Sequence, residues 1–132
     1  MTFKNQLSFA LLALTLATGA LNEVYASSIS VKCETRGTTR SKISVDGTGL
    51  TGTFYAIVLS PPNAAVRSKL PNKTADSNHE VQYDFDSNPA DIAAGATKIS
   101  PTYIRNHTVF GYIRRSSDGR LFGAMQATCS AK

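Results

Sequence analysis

"HTVFGYIRRSSDGRLFGAMQATC", residues 107–129, decides the class of this chain. Apolar residues alternate with others on both sides of Ser-Ser-Asp-Gly, and Asp118-Gly119 is a strong hairpin-turn signal. The stretch therefore reads as two antiparallel strands. Its register has two solutions. A two- or four-residue loop puts Phe110 and Tyr112 on the face of Met125 and Ala127, in the core, the usual fate of strand aromatics. A three-residue loop with a glycine bulge pairs that face with Val109, Gly111 and Ile113. Phe110, Tyr112 and Phe122 then form an exposed stripe. Beside Arg114, Arg115 and Arg120, Phe110 and Tyr112 make a candidate ligand surface.

The same strand chemistry extends upstream. "SISVKCET" (28–35), "RSKISVD" (40–46) and "HEVQYDFD" (79–86) alternate with period two, and "TFYAIVLS" (53–60) is continuously apolar, as in a strand buried on both faces. "GTGLTG" (47–52) is turn chemistry. Pro61, Pro62 and Pro71 mark a long polar connection with room for one short edge strand around Val66–Leu70. About six or seven strands at this spacing predict an all-β, small immunoglobulin-like sandwich. The Cys…Trp…Cys signature of antibody domains is absent, since the chain has no tryptophan.

Residues 1–26 read differently. Lys4, an apolar run from Leu7 to Leu21, and Val24 and Ala26 before Ser27 spell a cleaved signal peptide. The run is shorter than a bilayer span of ~20 residues. We therefore expect one domain over residues 27–132, periplasmic or secreted, with no transmembrane segment. An exported chain with two cysteines favours a disulfide. Cys33 is in phase with Ile29 and Val31, and Cys129 with Leu121, Met125 and Ala127, so both thiols point to an apolar face and clamp the first strand to the last.

The net charge is +5. Charge of this size mainly maintains solubility, and an exported protein seldom meets nucleic acid. The expected partner is a protein or an envelope glycan. His79 and His107 stand in no motif with a nucleophile, and no phosphate loop or zinc spacing occurs. A non-enzymatic module without cofactor is the expectation. The alternative is a carbohydrate-binding or weak calcium-binding module, using Tyr83, Tyr103, Phe110 and Tyr112 or the carboxylates discussed next. Asn72 and Asn106 are formal glycosylation acceptors, relevant only in a eukaryotic source.

"VQYDFDSNPADIAAGA" (81–96) offers Asp84, Asp86 and Asn88 at the first ligand spacings of an EF-type calcium loop. The match fails where glycine and glutamate should follow, at Pro89 and Gly95. A capped helical turn near residues 89–94 fits better. Asn88 is the N-cap, Pro89 the first helical residue, Asp91 lies near the positive helix end and Gly95 stops the helix. Ile92 should then pack inward, and Asp84 and Asp86 remain as the solvent face of a strand.

Overall fold

The computed structural model describes residues 27–132; the proposed signal peptide, residues 1–26, lies outside the described residues. Six long strands carry the fold: β1 (Ser28–Arg36), β2 (Arg40–Thr48), β3 (Thr53–Leu59), β6 (Val81–Asp86), β8 (Thr108–Arg115) and β9 (Leu121–Thr128). Four two-residue strands, β4 (Val66–Arg67), β5 (Lys73–Thr74), β7 (Thr97–Lys98) and β10 (Ser130–Ala131), trim the edges. One sheet runs β10-β1-β2-β6-β7, the other β4-β3-β8-β9, with β5 also on β3. The two sheets form a sandwich-like arrangement. Among the described residues no helix is long and apolar enough to cross a membrane.

Alternation along the strands fills the space between the sheets. Ile43, Val45, Tyr83 and Phe85 come from one sheet and Phe54, Ala56, Val58, Val109 and Ile113 from the other, none more than 3 % exposed. Burial of such side chains is the main stabilising term, roughly 1.5–3 kcal/mol each. Two core-facing strand positions are glycines because the opposite sheet comes too close for more. A Cβ on Gly111 would lie 2.6 Å from Val31 Cγ2, and one on Gly47 2.6 Å from Ile113 Cδ1.

The hairpin departs from both simple registers. Its loop has four residues, since the Arg115 N–H donates to the Arg120 carbonyl and the Gly119 N–H to the Arg115 carbonyl. That loop alone would send Phe110 and Tyr112 into the core. However, Ile113 pairs with Gly123 while Arg114 pairs with Leu121, so Phe122 is one residue too many. Such a bulge exchanges the two faces of everything beyond it. Val109, Gly111 and Ile113 consequently face the core, and the expected core position of Phe110 and Tyr112 is corrected: both lie half-buried on the outer face. Phe122 does not join them. It packs edge-on against Phe54, with ring centroids 5.3 Å apart. On the edge strand β9, Leu121 and Met125 are exposed rather than buried.

Both open sides of the sandwich are closed. After β9 the chain crosses sheets, and β10 pairs parallel with β1 through Glu34–Ser130 and Thr35–Ala131. Cys33 and Cys129 are joined beside this crossing, with Cα atoms 4.7 Å apart. On the other side the β4–β5 connection reaches across: the Ser68 N–H donates to the Ala56 carbonyl, and the Lys69 N–H to Thr97 Oγ1.

The short helix α1 (Pro89–Ala93) starts as its caps require, with Asn88 Oδ1 accepting from the Ala90 N–H at 2.9 Å. It ends at Ala93, before Gly95 (φ 124°). The expected inward packing of Ile92 is corrected: α1 has no buried residue, and Ile92 is half-buried. One turn is too short to present an apolar stripe.

Candidate functional site

The two outer faces differ in chemistry. That of the β1–β2–β6 sheet carries Lys32, Lys42, Ser44, Asp46, Gln82 and Asp84. That of the other sheet carries Tyr55, Ile57 and Leu59 on β3, opposite Arg114, Tyr112 and Phe110 on β8. All six are half-buried. Arg67 on β4 pairs with Ile57, and its guanidinium carbon lies 3.7 Å from the Tyr55 ring centroid, a cation–π contact. The result is an apolar and aromatic surface with two arginines, on a sheet face where alternation would ordinarily place polar groups.

The sequence-predicted ligand surface is split by this geometry. Phe110, Tyr112 and Arg114 share the outer face. Arg115 and Arg120 sit at the hairpin tip, each with its guanidinium carbon 5.4 Å from the Phe122 centroid. Arg115 donates through Nε and Nη2 to the two Asp118 carboxylate oxygens at 3.0 and 2.6 Å. The Arg115 guanidinium and the Arg120 N–H hold the Asp118 carboxyl well below the usual carboxylate range. Arg114 Nη1 donates to the Gly119 carbonyl at 2.9 Å. The arginines thus bind the hairpin together. Tyr55, Ile57 and Leu59 were missed because "TFYAIVLS" reads as buried on both faces; its partners across the ladder, not its composition, give it an outer face.

Tyr83 and Tyr103, the other aromatics of the carbohydrate reading, are buried at 3 % and 6 % exposure. The Tyr103 hydroxyl donates to the Val58 and Ala64 carbonyls, and burial pushes its ionisation upward.

The carboxylates of the calcium reading do not share a solvent face. Asp84 is exposed and accepts from Ser44 Oγ at 3.0 Å. Asp86 is 1 % exposed, which corrects its expected place on the strand's solvent face. Arg40 Nε and Nη2 reach its two oxygens at 3.0 and 2.7 Å, and the same Nη2 reaches Asp91 Oδ2 at 2.9 Å. Burial alone would raise the Asp86 carboxyl, but the Arg40 hydrogen bonds and the Asn88 and Ser87 N–H groups hold it below its ordinary value. Asn88 uses its side-chain oxygen on α1. Among the described residues no three His, Cys, Asp or Glu side chains are grouped as metal ligands.

No family model, no curated protein and no solved structure matches this chain.

Proposed function

We propose that residues 27–132 are an exported, non-enzymatic module of immunoglobulin-like architecture. On this reading they bind a macromolecular partner, protein or envelope glycan, through the outer face of the β3–β8 sheet. The carrying observation is that face: Tyr55, Ile57, Leu59, Phe110 and Tyr112 contiguous on two paired strands, with Arg67 and Arg114 among them. Aromatic residues and arginine are the side chains enriched in binding surfaces. The architectural reading is supported by the order β1-β2-β6 facing β3-β8-β9, which follows the A-B-E and C-F-G order of immunoglobulin sheets. The Cys33–Cys129 bridge supports an oxidising compartment, periplasmic or extracellular.

The test is crosslinked capture from native envelope extract by the mature, oxidised protein. Phe110→Ser with Tyr112→Ser should abolish capture of the bound component. Lys32→Ser with Gln82→Ser, on the opposite outer face, should leave it intact. Equal capture by both variants refutes the assignment of the face. Turnover of a glycan, ester or peptide by purified protein refutes the non-enzymatic reading.

A further inference from the structure

The outermost strand of a sheet exposes backbone groups that another strand can pair with, and proteins ordinarily blunt such edges. Here β10, β7 and β4 do so by having two residues each. The fourth outermost strand, β9, has eight residues, Leu121–Thr128, with no proline and no charged side chain. The crossing into β10 closes that side of the sandwich only at Glu34 and Thr35. Upstream of it, among the described residues, no strand pairs with the outer edge of β9.

The register shows which groups this edge offers. The Cys129 N–H donates to the His107 carbonyl at 2.8 Å, and backbone groups alternate sides along a strand. Those of Ala127, Met125 and Gly123 therefore turn to Val109, Gly111 and Ile113 on β8, and those of Ala124 and Gln126 turn off the sheet. Ala124, Met125 and Gln126 are all exposed. Met125 sits opposite Gly111, a core-facing position, yet is 45 % exposed because no strand lies beyond it. Both ends of the edge are basic. Arg120 precedes Leu121, with Arg114 beside it on β8, and the Asp118 carboxylate there is taken by Arg115. At the other end Thr128 shares a groove with Lys32, Lys42 and Lys132, against one carboxylate, Glu34, which accepts from Arg36.

We propose that β9 takes an added strand from a partner protein: an extended segment with an apolar middle and an acidic residue at each end, paired antiparallel through Ala124 and Gln126. Its apolar side chains cover Met125, and its acidic ends face Arg120 and the lysine groove. Charge sets a second copy of this chain aside. Antiparallel self-pairing through β9 would put the arginine end of each copy against the lysine end of the other, and like charges across a ladder are destabilising. The site uses the backbone edge of β9 and no side chain of the β3–β8 outer face, so either assignment can fail without the other.

The experiment is amide hydrogen exchange, read by NMR, on the mature, oxidised protein with the peptide acetyl-Glu-Thr-Val-Thr-Val-Thr-Glu-amide. With Kd on the order of 1 mM, about 10 mM peptide should slow Ala124 and Gln126 about tenfold. Gly123, Met125 and Ala127, already bonded to β8, should change by less than about twofold. The same peptide with lysine at both ends should bind about fivefold more weakly, a difference that disappears in about 1 M salt. Gln126→Pro, which removes an outward N–H and no ladder bond, should abolish protection of Ala124 while Gly123, Met125 and Ala127 stay slow. Arg120→Gln with Lys132→Gln should weaken the acidic peptide about threefold. No slowing of Ala124 and Gln126, equal binding of the two peptides, full binding by Gln126→Pro, or unchanged binding by the double variant each overturns the proposal. Slowing in the protein alone that grows with its concentration identifies a second copy as the occupant and also overturns it.

Discussion

Arg40 grips Asp86 with two hydrogen bonds, at 3.0 and 2.7 Å, across the β2–β6 ladder and under the start of α1. The Asp86 carboxylate is almost wholly out of water, so this pair is the condition on which it stays charged. Arg40→Met should therefore lower Tm by at least about 10 °C, because it strands a buried charge. Adding Asp86→Leu should recover much of the loss, since an apolar pair tolerates burial better than a single ion. Thermal melts of the two variants decide this. With Arg40 in place, about 1 mM calcium should leave Tm where a chelator leaves it, because a cation bound only to the folded state would raise it.

The same pair sets a pH response. The folded carboxyl of Asp86 ionises below its unfolded value, so the folded state binds fewer protons there. Its stabilising contribution is complete above the unfolded value of about 3.9 and is lost as pH falls through the lower folded value. Tm should be flat from about pH 7 to 5 and fall below about pH 4. In Arg40→Met the acid-side fall should shrink or reverse. A Tm series across these pH values, run on both proteins, is the measurement; parallel curves would disprove the assignment to Asp86.

Gly111 fixes how closely the sheets approach. Its Cβ would lie 2.6 Å from Val31 Cγ2 and 3.3 Å from Val45 Cγ2, both on stiff, buried, β-branched side chains. Gly111→Ala should cost about 1–3 kcal/mol by overpacking. Val31→Ala combined with it should restore part of that, a non-additivity expected only of residues in contact. Urea unfolding of the single and double variants gives the coupling.

The disulfide closes a span of 96 residues. Cys33→Ala with Cys129→Ala should lower unfolding free energy by about 2–5 kcal/mol. The urea midpoint of the variant, and of the reduced wild type, checks this. Agreement between the two separates lost connectivity from altered packing at Cys129, which is 6 % exposed.

Much of the strand inventory was legible because period-two alternation is local. The Asp118-Gly119 hairpin, the Asn88-Pro89 helix start and the Cys33–Cys129 bridge followed from residue chemistry at known offsets. What failed was non-local. The four-residue loop was foreseeable, yet the bulge at Phe122 reversed the faces of β8 relative to β9. Phe122 leaves the ladder to pack edge-on against Phe54, a residue of another strand. A trace of this was present in Gly111: glycine between two aromatics marks a close backbone approach and hence the inward side. Asp86 was misplaced for a similar reason. Alternation does put it outward, but Arg40, 46 positions earlier, covers it. The path of the β4–β5 connection across the sheet edges, where the Lys69 N–H meets Thr97, is encoded by no periodicity.

The parallel pairing of β10 with β1 places Ser27 and Lys132 toward opposite ends of β1, with Cys33 and Cys129 bonded between them. A pull applied to both ends would load that short ladder in shear. The force would enter through β1, pass over the sulfur bridge and leave through β10. The strands between the two cysteines would carry none of the tension. Under traction the bridge confines extension to the residues outside the Cys33–Cys129 loop, and the strands within the loop keep their shape while the tether is taut.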